Sequence, residues 1–306
     1  MRASATRCMA ASKRSSRIAA AMFEHLVQIW DVETGVMVNE FETVFSFGGP
    51  RLTLDPLGER CIAAAWKAGK RGGVACYETN TGKLIWHRQD LRQTQRVRFS
   101  PGGEAAWCVP QSGPTKLLDA VNGKTLDALT GLRDIFDSEY SADLLLVKRK
   151  RDYILRKEKT LQIPRLTFAV LDVAFGPHSL AVSESRGPVR CIDSSTGSEL
   201  WRQSPGKQIH FLRLWYRRID ENFYGELWEF QTGNFRSMVR FDASSGETTV
   251  ICQLHSGEAV YSPKADCIIT SNGEVFDLAD GRIRHRLQFP QTEYPDRNEI
   301  EELPTV

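Results

Sequence analysis

One frame recurs down this chain and limits what it can fold into: an apolar run, then an acid, two variable residues, a small polar residue and a glycine. The best copy spans residues 27–35 and ends Trp30-Asp31-Val32-Glu33-Thr34-Gly35. Other copies close at Gly82, Gly123, Gly197, Gly246 and Gly281, so successive gaps are 47, 41, 74, 49 and 35 residues. A period near 40 residues is that of a four-stranded propeller blade. The long gap holds two units, one of which has lost its marker. The physical need for the frame is a tight turn: glycine adopts positive φ without a Cβ clash, and the acid accepts hydrogen bonds from turn amides.

A second marker precedes the first within a unit. Residues 97–103 run from an apolar strand into Pro101-Gly102-Gly103, with related turns at Pro56, Pro177 and Pro263. Proline pre-sets φ for the second position of such a turn. A short apolar run follows each one, so a unit reads strand, proline turn, strand, loop, strand, glycine turn, strand. Laid end to end, seven such units fill residues 1–288. The expected fold is all-β, a seven-bladed propeller of four-stranded antiparallel blades. The fourth unit, from 134 to 163, is the irregular one. Residues 289–306 carry Asp296, Glu299, Glu301 and Glu302 and are expected to form an acidic tail, laid across the joint of the first and last blades. A closed ring needs such a latch, because an unpaired strand edge invites aggregation.

Trp30-Asp31 and its turn resemble the end of a WD repeat, and Phe99-Ser100-Pro101-Gly102-Gly103 resembles that family's first turn. The runs Thr81-Gly82 to Trp86 and Thr196-Gly197 to Trp201 are similar to the T-G-x-x-x-W signature of quinoprotein-type propellers. The resemblance implies a propeller, and a binding platform rather than an enzyme: quinoprotein dehydrogenases use calcium, an acid set and often adjacent cysteines, and no Cys-Cys pair occurs here.

A net charge of +2 exerts no general pull on nucleic acid or membrane, so electrostatics must act through local patches. No apolar run approaches the roughly 18–20 residues of a membrane helix. The seven cysteines include no C-x-x-C pair and sit mostly in apolar runs, which reads as buried free thiols in a reducing, cytoplasmic setting. The basic stretch Arg2 to Arg17 has the composition of a transit peptide, but its removal would open the first blade, which argues against a cleaved leader. The six histidines are dispersed, with no metal-ligand spacing, so neither a metal nor a cofactor is expected.

Function is expected where the pattern fails. On the face that carries the loops between second and third strands, Lys67, Lys70, Arg71, Lys148, Arg149, Lys150, Arg151 and Arg186 form a cationic rim suited to an acidic protein partner. In the aromatic sixth unit, Trp215, Tyr216, Arg217 and Arg218 have the composition of interface anchors. Against both stand blander readings: a solvated set of surface charges, and aromatics that fill the inter-blade core. A nucleic-acid role is disfavoured, since only Tyr153 interleaves the basic run. The expectation is a non-catalytic protein-binding platform. Two alternatives stay open: a quinoprotein-like or hydrolytic enzyme with its site in the central funnel, and an inhibitor or immunity-type protein with one target. No catalytic residue is assigned.

Overall fold

Each unit contains one run whose side chains are apolar or small at almost every position, such as Ile18 to Ala21 or Cys61 to Ala64. A sheet with one wet face would leave half of such a run in water. In the structure both faces of these strands are covered: Ile18, Ala19, Ala20, Ala21, Cys61, Ile62, Ala63 and Ala64 are all 0% exposed. Sheets stacked radially, each packed between two neighbours, satisfy that requirement. The computed structural model describes residues 3–4, 8–22, 25–45, 51–65, 72–91, 94–129, 132–137, 145–149, 152–156, 160–166, 168–185, 187–204, 209–229, 235–254, 258–289 and 291–292.

The chain forms a β-propeller of four-stranded antiparallel sheets, every one built from consecutive strands. Blade one is Cys8–Ala11, Arg17–Ala21, Leu26–Asp31 and Val36–Glu42, and blade two is Arg51–Leu54, Arg60–Ala64, Val74–Glu78 and Leu84–Arg88. The expectation of a seven-bladed propeller is corrected: six blades of one design are found, and the fourth four-stranded sheet departs from that design. Each of the six has a register shift between its third and fourth strands, followed by a turn whose glycine has φ between +70° and +76°. In each turn the glycine N–H donates to the carbonyl of the acid four residues earlier, as Gly35 does to Asp31 at 2.9 Å. The fourth four-stranded sheet, Leu132–Asp137, Leu145–Arg149, Asp152–Arg156 and Thr160–Gln162, differs. Its outer strands pair without a shift, and Leu146 of its second strand is buried. Loss of the glycine marker and loss of the outer bulge thus occur together.

The glycine turns also lock neighbouring blades. The indole of Trp86 in blade two lies on Gly123 of blade three and donates from Nε1 to the Ala120 carbonyl at 3.0 Å. Trp201 of blade five repeats this on Gly246 of blade six, donating to Ala243 at 2.9 Å. These are the two tryptophans of the T-G-x-x-x-W runs. At the ring joint His285 of the last blade occupies the same place over Gly35 of the first.

Among the described residues no blade mixes strands from the two ends of the chain. Closure instead uses a separate pair of short strands, Ala3–Ser4 against Gln291–Thr292. Beside it, Phe289 packs edge-on to Trp30, with ring centroids 5.6 Å apart. Both rings belong to a buried cluster shared by the first and last blades. The closure therefore uses residues beyond position 288. All seven cysteines are free and six are buried, and burial pushes the Cys76, Cys108 and Cys267 thiols up to about 12. Among the described residues no helix is long and apolar enough to cross a membrane.

Candidate functional site

The innermost strands wall a central cavity of about 480 Å³. Its lining comes from the first strands of blades one, two, three, five, six and seven. Among the described residues Lys13, Arg51, Arg96, Arg98 and Arg213 line it together with one carboxylate, Asp172. Sequence reasoning placed no weight on these cations, because they belong to four separate segments that only the ring brings together.

Four inner strands carry a register shift against their second strands, one of them in the fourth sheet between Leu132 and Ile135, and the other three set this lining. The register of the first strand against the second shifts between Thr94 and Arg96, between Val170 and Asp172, and between Phe211 and Arg213. The extra residues are Gln95, Leu171 and Leu212, and all three face the cavity. Corresponding pairs in blades one, two and seven run without a shift. A bulge re-aims the residues beside it and is frequent next to functional sites. Here the residue after each bulge is charged: Arg96, Asp172 and Arg213.

Two of these charges are tied down. Asp172 accepts the Leu214 backbone N–H at 3.0 Å and pairs with Arg98 at 3.4 Å, which links blade three to blades five and six. Arg213 bonds the Ala259 carbonyl and pairs with Glu258 at 2.9 Å. Burial works against the charge of Arg213, but Glu258 and Glu226 outweigh it and hold its pKa above the ordinary arginine value. Burial in turn raises the carboxyl of Glu226, although Arg236 donates to it at 2.6 Å.

Toward the face of the proline and glycine turns the cavity opens into a second hollow of about 380 Å³, and Lys13, Tyr216, Tyr261 and Pro263 line both. This mouth is walled by Lys13, Arg14, Arg218 and Lys264, with no carboxylate in its lining among the described residues. Arg14, Arg218 and Lys264 are exposed. The rim is stiff: the Arg14 N–H donates to Pro56 at 2.8 Å, Arg17 Nη1 to the Gly58 carbonyl at 3.1 Å, and Arg60 Nη2 to the Gly103 carbonyl at 2.8 Å. The signal for this mouth was in the sequence. Basic residues recur in the first turn of the first, sixth and seventh units, which become neighbours once the ring closes.

Of the residues singled out in the sequence, Lys67, Lys70, Arg71, Lys150, Arg151 and Arg186 lie outside the described residues. Lys148 and Arg149 end a second strand, opposite Tyr153 and Asp152, on the face away from the mouth. The sixth-unit residues divide. Trp215 is half-buried against the cluster between blades six and seven, and Tyr216 packs on Phe223 with centroids 5.2 Å apart. Arg217 is used within the fold: it is 8% exposed, donates to Asp266 at 2.6 Å and to Asp220 at 3.0 Å, and its pKa is raised by those bonds. Burial of Tyr224 and its 2.6 Å bond to Asp220 push that phenol up to about 12. Tyr216 and Arg218 remain at the mouth.

Among the described residues no group of three or more His, Cys, Asp or Glu side chains converges on a metal-sized gap. Compared with known protein families and with curated proteins, the chain matches no family model and no curated sequence.

Proposed function

We propose that the chain is a non-catalytic binding platform, a WD-repeat-like propeller that captures an acidic segment of a protein partner at the channel mouth. One observation carries this reading: four cations converge on a hollow of about 380 Å³ whose lining, among the described residues, holds no acid. Potentials of one sign in a concave, low-dielectric wall attract and orient opposite charge. Tyr216 and Tyr261 supply flat faces with polar tips beside the cations, a composition suited to interfaces. The Trp86 and Trp201 contacts on the next blade's glycine support kinship with quinoprotein-type propellers, and the Trp30-Asp31 turn supports kinship with WD repeats.

A fluorescently labelled oligoglutamate peptide tests the reading by anisotropy. Each exposed charge pair is worth about 1 kcal/mol in water, so reversing three cations should weaken binding well over about tenfold. The variant is Lys13→Glu/Arg14→Glu/Lys264→Glu, and added salt should act in the same direction. Unchanged affinity in that variant overturns the mouth as the site. If Lys148→Glu/Arg149→Glu abolishes binding instead, the partner docks on the opposite face.

A further inference from the structure

Two cations of the mouth stand on different blades and are joined from behind by one ion pair. Arg218 follows the first strand of blade six, Ile209–Arg217, and Lys264 lies in the turn after the first strand of blade seven, Ala259–Ser262. The residue before Arg218 and the residue two beyond Lys264 are partners. Arg217 holds the Asp266 carboxylate through Nε at 2.9 Å and through Nη2 at 2.6 Å. A guanidinium forked onto a carboxylate fixes distance and plane together. Each partner is itself held. Arg217 donates from Nη1 to Asp220 at 3.0 Å, and the Tyr224 hydroxyl donates to the same carboxylate at 2.6 Å. Arg284, on the outer strand of blade seven, donates to the Ala265 carbonyl at 2.7 Å and to the Asp266 carbonyl at 3.2 Å.

Asp266 has φ of +48°, an angle that costs a residue with a Cβ. Glycine takes positive φ freely, as Gly58 and Gly103 do in the first turns of blades two and three, but glycine could not reach Arg217. The Asp266 carboxylate also accepts the Tyr261 hydroxyl at 3.2 Å, and Tyr261 lines the mouth. We infer that Asp266 and Arg217 are positioning residues of the mouth, whose pair sets the spacing of Arg218 and Lys264 before an acidic segment arrives; this deepens the peptide-capture reading and rests on it. Long side chains that must be ordered during binding cost affinity, so cations spaced in advance hold their partner more tightly.

Anisotropy with the labelled oligoglutamate peptide tests the pair. Arg217→Gln/Asp266→Asn removes one positive and one negative charge, so the net charge is unchanged, and asparagine tolerates the left-handed angle. Affinity should fall about fivefold, whereas attraction by net charge alone leaves it unchanged. Arg217→Lys keeps the charge but loses the fork, so it should weaken binding in the same direction, and it tests the pair if the double variant misfolds. In an Arg218→Gln/Lys264→Gln background most of the loss should disappear, because the pair acts through those two cations. A general loosening of the fold would still weaken the contacts of Lys13 and Arg14. Unchanged affinity in the folded variants overturns the inference, and so does an equal loss in that background. If Lys13→Glu/Arg14→Glu/Lys264→Glu leaves the peptide bound, the mouth itself is the wrong site, so the two failures are distinct.

Discussion

The contact of Trp201 with Gly246 allows the inter-blade lock to be weighed in energy. Gly246 has φ of +72°, and a Cβ there would lie 2.4 Å from the Trp201 ring. In Gly246→Ala the left-handed backbone alone costs about 1–2 kcal/mol. The indole must also move. It would lose its 2.9 Å bond to Ala243, worth about 1 kcal/mol net. It would also disturb its stack on Phe241 at 5.8 Å, worth about 0.5–1.5 kcal/mol. The expected total is about 3–4 kcal/mol. Gly113 is the control, with φ of +96° and nothing within 4 Å of its Cβ position, so Gly113→Ala pays the backbone cost alone. Urea unfolding followed by far-UV circular dichroism should separate the two variants by about 2 kcal/mol at unchanged m. In a Trp201→Ala background the extra cost of Gly246→Ala should vanish, because the two changes share one contact. If both glycine variants agree within about 0.5 kcal/mol, or the background makes no difference, the lock carries no stability and the reasoning fails.

Two further outcomes follow from the turns and the closure. The hydroxyl of Ser195, with the Thr196 and Ser195 amides, holds the Asp193 carboxyl at about 2, below its unfolded value near about 3.9. A depressed pKa contributes stability that is present above the unfolded value and lost as pH falls toward the folded one. The urea midpoint of Asp193→Ala should therefore lie below the wild type at neutral pH and converge with it between about pH 4 and 2, whereas a constant gap would exclude the ionised turn as the cause. Phe289→Ala should cost about 3 kcal/mol, and amide exchange should quicken in Cys8–Ala11 and Cys267–Thr270 but not in Val189–Asp193. Equal exchange in all three strands would show that the ring does not depend on this latch.

Local chemistry made much of the fold legible. A glycine that must take positive φ, an acid that must cap the turn, and strands apolar on both faces are properties of short segments, and they marked the six blades of one design. The departures were legible as departures only. Arg217 and Arg218 are adjacent in sequence and alike in charge, yet one is folded into a bond network with Asp266 and Asp220 while the other stands at the mouth. Nothing in the local pattern separates them, because the separation depends on a carboxylate 49 residues away.

By itself the sequence determined the repeat, the turns and the burial of the second strands, since each rests on interactions within about 40 residues. Only the tertiary structure decided that residues 3–4 and 291–292 pair, that His285 meets Gly35, and that Lys13, Arg14, Arg218 and Lys264 share one hollow. The same holds for the channel, where arginines from blades two, three and six line one cavity. Ring closure is the reason. It makes neighbours of the two ends of the chain and places the inner edge of each blade around one axis, so charges scattered as single residues along the sequence sum to one field.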